Sequence, residues 1–182
     1  MHKKRLILIF ALLALASLTL AACGGEPELG TEENPIVWAV VPSGETDRVV
    51  TGFEEVTDLI FEETGLVIDP LVTTEYAGAI EAMCADPPKA QMAALNTFSY
   101  ILANEKGCAD AALVAVRFGS PSYNGQIIVR SDSGIESIED LDGKTFCRPD
   151  PLSTSGWIIP SITLKAAGVD PETDLAQVVD AG

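Results

Sequence analysis

Four consecutive residues, Ser153, Thr154, Ser155 and Gly156, carry the densest chemistry in the chain. They follow Asp150-Pro151-Leu152, which leaves an expected strand, and they open an expected helix. At such a junction unpaired backbone N–H groups and the positive end of the helix dipole converge. Three hydroxyls add donors, and the glycine lets a tetrahedral oxyanion approach the backbone closely. Hydroxyls and amides hold phosphate-like groups without a cation, and they tell them from carboxylates by the number of acceptor oxygens they satisfy. One hydroxyl here would read as an ordinary N-cap, the usual place for Ser and Thr; three in a row favour an anion site. A helix starting at Ser155 carries Pro160 past its first turn and should kink there. A second start, Asn96-Thr97-Phe98-Ser99-Tyr100, follows another expected strand at its C-terminal end, where α/β clefts hold ligands. Thr97 is its candidate ligand group, and Phe98 and Tyr100 are assigned to the core.

Other chemistries are thinly supplied. The sole histidine is His2, so the chain beyond the first residues has no Ser-His-Asp or Cys-His arrangement and no His-containing metal site. No HExxH, GxSxG, SxxK or GxxxxGK[ST] pattern occurs. These features argue against an enzyme, and no cofactor or metal is expected. After Cys23 the chain holds 8 basic and 27 acidic residues, a net charge of −19. A nucleic-acid binder needs a basic face, and none is present. The acidity reads as a solvated surface; it leaves room for an anion held by neutral donors in a cleft.

The elements that position these residues follow an exported start. Lys3, Lys4 and Arg5 precede an apolar run from Leu6 to Leu20, then Leu20-Ala21-Ala22-Cys23. Small residues before a cysteine at the end of such a run resemble a bacterial lipobox, which implies a signal peptide over 1–22 and a diacylglyceryl group on Cys23. The bland alternative is an uncleaved anchor helix, for which the run is short. Residues 23–35, rich in Gly, Pro and Glu, read as a flexible tether. Beyond it, strands are expected at 36–42, 66–72, 90–96 and 111–118, with helices at 46–64, 75–84 and 97–106 between them. Four such units imply a parallel sheet covered on both faces, a first α/β lobe over 36–118. GSPSYNG opens a crossover, 119–128, and a strand is expected at 126–130. A second lobe, 129–182, holds a short helix with Ser137 as candidate N-cap, a turn at Asp142-Gly143, strands at 145–149 and 174–181, and a helix closed by Gly168. With about fifty residues it is too small to bury a core of its own. It ends on a strand without a covering helix, which reads as a C-terminal truncation.

Three segments, YAGAIEAM (76–83), SYNGQIIVRSDSGIESIEDLDGK (122–144) and DPLSTSGWIIPSITLKAAGVDP (150–171), resemble, in order, the phosphate/phosphite/phosphonate ABC-transporter substrate-binding family. The resemblance covers residues 36–182. It implies a type II periplasmic-binding-protein fold, two α/β lobes around a cleft, here with the second lobe incomplete. It also implies an extracytoplasmic solute-binding lipoprotein that captures phosphate, phosphite or a phosphonate and delivers it to an ABC-transporter permease. The protein would sit in the cell envelope, periplasmic or anchored through lipid on the outer side of the cytoplasmic membrane. In the family, aromatic side chains at the positions of Tyr76 and Tyr123 face the phosph(on)ate group; by themselves they read as a helix-start residue and a turn residue. Together with Thr97, Ser153, Thr154, Ser155 and Gly156 they make the expected ligand set. The family's ligand-closing histidine and acidic residue lie beyond the VVDAG-type strand, where this sequence stops at Gly182.

Cys84, Cys108 and Cys147 remain. An exported chain permits disulfides. Cys84 and Cys108 both fall in the first lobe, so a bridge between them would leave the lobes free, and Cys147 would be odd. Dispersed spacing without CxxC speaks against a metal site. The alternatives to the leading reading are a type II binder for another small anion, and a sensory or structural lipoprotein built on the same fold.

Overall fold

The computed structural model describes Gly25, residues 27–41 and residues 46–181, the side chains of 46–49 excepted. The expected signal segment 1–22 and the lipidated Cys23 lie outside the described residues. Strand β1 (Ile36–Val40) is apolar throughout because it is the central strand of its sheet. It pairs in parallel with β2 (Ile68–Val72) on one side and β3 (Met92–Ala94) on the other. Parallel neighbours require crossovers, and helix α1 (Thr46–Thr64) joins β1 to β2. Phe53 of α1 meets the Trp38 ring edge-on, with centroids 4.7 Å apart. Helix α2 (Tyr76–Cys84) joins β2 to β3, and α3 (Thr97–Glu105) leaves β3.

The core of this lobe is made of small residues: Ala39 of β1, Ala79 and Ala82 of α2, and Ala90. Alanines let α2 lie close to the strand, so small shifts of α2 are resisted by packing. Cys84 and Cys108 form a disulfide, with Cα atoms 5.1 Å apart, that ties the end of α2 to the chain following α3.

The second lobe is a two-stranded parallel sheet, β4 (Thr145–Arg148) with β5 (Gln177–Asp180), so that Arg148 stands opposite Asp180. Helix α4 (Ile159–Ala166) crosses between them, and Gly168, at φ +89°, ends it. Its core gathers Leu141, Leu164, Val169 and Leu175, with Ile127, Ile135, Phe146 and Val178 packed around.

Several sequence expectations are corrected. Residues 27–34, expected as part of a flexible tether, fold back on the first lobe. Gly30 N–H donates to the Asn34 carbonyl, and Val67 N–H donates to the Gly30 carbonyl. Gly30 is buried at φ +90°, and a Cβ there would stand 2.6 Å from Leu66 Cδ2, so the turn needs glycine. The strands expected at 111–118 and 126–130 are not strands. Their composition suits a sheet, but a ladder needs a neighbour for every N–H and C=O, and no described strand pairs with either. Leu113 is accordingly 93% exposed and Ile128 83%. The first sheet therefore has three strands rather than four. Ser137 is not an acceptor cap: its N–H and hydroxyl donate to Asp140 Oδ2, and the short 3-10 turn there is Glu139–Leu141. With Glu136 N–H also donating, these bonds hold the Asp140 carboxyl below its usual range.

The disulfide closes a loop with a sequence separation of 24. Replacing Cys84 and Cys108 together by serine should lower unfolding free energy by about 3 kcal/mol on the chain-entropy account. Urea denaturation of the double variant, with and without reductant, checks this: reductant should shift the wild-type midpoint and leave the variant unchanged.

Candidate functional site

The chain leaves β4 through Pro149 and Asp150 and makes a tight turn before α4. Ser153 N–H donates to the Asp150 carbonyl at 3.1 Å, and Asp150 Oδ1 accepts the Leu152 N–H at 2.6 Å. Ser153 then caps the next segment: its Oγ accepts the Gly156 N–H at 3.2 Å. That segment, Thr154–Ile158, is a π-helical turn, with the Ile158 N–H donating to the Ser153 carbonyl at 2.9 Å. The kink expected at Pro160 is replaced by this change of helix type. Pro160 has no N–H to give a preceding carbonyl. The wide turn absorbs the mismatch and delivers Pro160 to the second position of α4, where no N–H is needed.

Glycine is required at Gly156. A Cβ there would overlap the Pro149 ring and come within 2.9 Å of Ser153 Oγ. Gly125 is similarly placed, since a Cβ on it would lie 3.1 Å from the Ser155 carbonyl oxygen. This close approach brings Tyr123 over the turn, with its hydroxyl 3.0 Å from Ser155 Oγ.

The other side of the site belongs to the first lobe. Asn96 caps α3 by accepting the Ser99 N–H on Oδ1 at 3.0 Å. The same Oδ1 accepts the Thr154 hydroxyl at 2.8 Å, while Asn96 Nδ2 donates to the Leu152 carbonyl at 3.1 Å. Thr154 Oγ1 in turn accepts the Phe98 N–H at 2.8 Å. At the start of α2, the Tyr76 N–H donates to Asp150 Oδ2 at 3.1 Å. Two first-lobe helices, α2 and α3, therefore point their N-termini at the 150–154 segment.

The structure brings Ser153, Thr154, Ser155, Gly156 and Tyr123 together and sets Tyr76 and Thr97, each the first residue of its helix, across from them. Their roles differ. The single hydrogen of the Thr154 hydroxyl is committed to Asn96, so this hydroxyl is a tie between lobes, not a free donor. Ser153 keeps its hydrogen, since its Oγ is used as an acceptor. The Tyr76 and Thr97 hydroxyls make no hydrogen bond among the described residues, and Tyr123 is 75% exposed.

Three participants were not singled out from sequence. Asn96 and Asp150 reach across lobes, and Arg148 stands at the end of β4. Arg148 Nε pairs with Asp180 Oδ1 at 2.6 Å, and its guanidinium lies 4.7 Å from the Trp157 ring centroid. The signal for Arg148 and Asp180 was their place at the ends of two strands, visible once the register is known. An open groove of about 520 Å³ runs beside the turn, lined mainly by Ile127, Ile128, Val129, Phe146, Pro149 and Pro160. Of the expected ligand residues, only Gly156 reaches it.

Comparison with known proteins follows the same lines. The family described as ABC transporter, phosphonate, periplasmic substrate-binding protein matches residues 38–182. The phosphate-import protein PhnD of Mycolicibacterium smegmatis is 28% identical over 165 residues, covering 86% of this chain and 51% of that protein. The phosphonates-binding periplasmic protein of Escherichia coli is 32% identical over 127 residues, 66% of this chain and 37% of its own length. Among solved structures, a binding protein component of an ABC phosphonate transporter from Pseudomonas aeruginosa superposes with a TM-score of 0.70 at 22% identity, over 81% of this chain and 51% of that one. PhnD1 from Prochlorococcus marinus, in complex with methylphosphonate, gives 0.55 at 14% identity, over 80% of this chain and 54% of that one. The chain thus spans about half the length of the first of these curated relatives, and the architecture, two α/β lobes of parallel strands, is that of these binding proteins.

The tie through Thr154 has a measurable weight. Thr154→Val keeps the shape but leaves the Phe98 N–H without its acceptor, and should cost about 1–3 kcal/mol of stability. Thr154→Ser, which restores the hydroxyl, should return most of it. Chemical denaturation of the three proteins in parallel provides the comparison.

Proposed function

The chain belongs to the periplasmic substrate-binding proteins of phosphonate ABC transporters, and from that membership we propose that it is an extracytoplasmic solute-binding lipoprotein that captures phosphate, phosphite or a phosphonate and presents it to an ABC permease. The observation that carries the reading is the turn Ser153–Gly156. It is a helix start with an unspent Ser153 hydroxyl, the Ser155–Tyr123 hydroxyl pair and a glycine that nothing larger can replace. A tetrahedral oxyanion seated there would take donors from Ser153, Ser155, Tyr123 and the first N–H groups of the turn, which have no intrahelical acceptor. Thr154 would contribute its backbone N–H, and Tyr76 and Thr97 would close from the first lobe. The proposed division is a first lobe over 36–118, a crossover over 119–128 and a second lobe over 129–182. The protein acts by binding and release, without a catalytic step.

Neutral donors suit a chain of this acidity. Arg148 is balanced by Asp180, so the anion would be held by oriented dipoles rather than by a net positive patch. Such contacts are screened little by salt when enclosed.

Isothermal titration with phosphate, phosphite and methylphosphonate tests the reading, with methanesulfonate and acetate as competitors. One of the first three should bind, with weak dependence on salt. The double variant Ser153→Ala, Ser155→Ala should lose about 1–3 kcal/mol of binding per hydroxyl, while Lys144→Ala and Lys165→Ala should bind as wild type. Preference for the sulfonate or carboxylate would reassign the ligand. No binding of any anion, with co-purification of a membrane sensor, would favour a sensory lipoprotein.

Anchoring rests on Leu20-Ala21-Ala22-Cys23. Cys23→Ser should leave the precursor unprocessed or release the protein from membranes. Mass spectrometry of membrane-extracted wild type should find lipid on Cys23; an intact Met1 with no lipid would overturn it.

A further inference from the structure

We propose that Asp150 is the positioning residue of the site: its buried carboxylate docks the anion-binding turn onto the first lobe. The inference rests on the reading above, in which Ser153–Gly156 seats the ligand. Asp150 is 7% exposed, one of two buried polar or charged residues among those described. A carboxylate so enclosed needs strong compensation, and among the described residues no cation supplies it. The nearest arginine in sequence, Arg148, is paired with Asp180. Two N–H groups take its place. One is local, from Leu152 to Oδ1 at 2.6 Å. The other comes from Tyr76, 74 residues away in sequence, to Oδ2 at 3.1 Å.

Tyr76 opens α2, where the helix dipole favours a negative charge. Glu75 occupies the cap position of that helix but makes no side-chain cap bond. The cap is supplied instead from the second lobe. Two consequences follow. The positive end of α2 is already filled by a carboxylate, so the solute anion is directed to the Ser153–Gly156 turn. The turn is also held in register with Tyr76 and Thr97 before any ligand arrives, because Asp150 pins one end of the segment while Thr154 and Asn96 pin the other.

Asp150→Asn separates the local bond from the distant one. An asparagine oxygen can still accept the Leu152 N–H, but its NH2 group then faces the Tyr76 N–H, donor against donor. In amide hydrogen exchange followed by NMR on the whole chain, Asp150→Asn should lower protection of the Tyr76 N–H by about tenfold or more. It should lower that of Phe98 as well, since the segment bearing Thr154 loosens. Glu75→Gln should leave both unchanged. Affinity for methylphosphonate, or for whichever of phosphate and phosphite the wild type prefers, should fall about tenfold in Asp150→Asn, with the melting curve still cooperative. Asp150→Ala, which removes both bonds, should lose at least as much. Wild-type protection of Tyr76 or Phe98 in Asp150→Asn overturns the proposal, as does unchanged affinity once protection is lost. If the wild type binds none of the three anions, the functional reading fails on its own, and the two amides still decide whether Asp150 holds the turn.

Discussion

The N-terminal ends of α2 and α3 present backbone N–H groups that no residue of their own helices can satisfy, and the arrangement of the two lobes follows from where those groups find acceptors. Asn96 deals with one of them locally, at Ser99. The Tyr76 and Phe98 N–H groups are answered by Asp150 and Thr154 of the other lobe. Four hydrogen bonds between residues 150–154 and the first lobe thereby hold together lobes that otherwise have separate cores. Each is worth about 1 kcal/mol net when made and more than that when broken with its partner left buried. The interface therefore resists partial disassembly.

This arrangement bears on how an acidic protein could hold an anion. A net charge of −19 beyond Cys23 opposes anion binding at long range, but at the site only nearby dipoles and unscreened contacts count. The turn offers hydroxyls, free N–H groups and the end of a helix, and the one arginine nearby is neutralised by Asp180 and covered by Trp157. Fixed neutral donors have a further advantage. The backbone N–H groups need little reorganisation when a ligand arrives, whereas a flexible lysine would lose side-chain entropy on ordering.

Much of this was legible in the sequence where structure depends on local pattern. The strands around Trp38, Ile68 and Met92 and the helices starting at Tyr76 and Thr97 lie where periodicity and stop signals place them. The helix start at Ser153 was legible because Ser and Thr are the usual caps there, and Ser153 Oγ does accept the Gly156 N–H. What failed depended on partners distant in sequence. Residues 111–118 have strand composition, yet composition cannot supply a neighbouring strand. The 27–34 turn has linker composition, yet Gly30 is recruited by Val67. The ties of the Thr154 hydroxyl to Asn96 and Phe98 were likewise invisible, because those partners lie more than fifty residues away.

The pairing of Tyr123 with Ser155 shows how an open site can be ready without being closed. Tyr123 is largely exposed, so its hydroxyl exchanges the Ser155 contact for water at little cost, and could exchange it for an anion oxygen just as readily. Thr154 sits in a part-buried network, and prising it loose would strand the Phe98 N–H and an Asn96 oxygen together. The segment thus has a hard side and a soft side. Asp150, Asn96 and Thr154 make the hard side, where the side chains are spent on structure; Ser153, Ser155 and Tyr123 make the soft side, where hydroxyl donors remain to be given. The proposed capture and release of a solute would draw on that division, because only the soft side can change partners without moving the lobes that carry it.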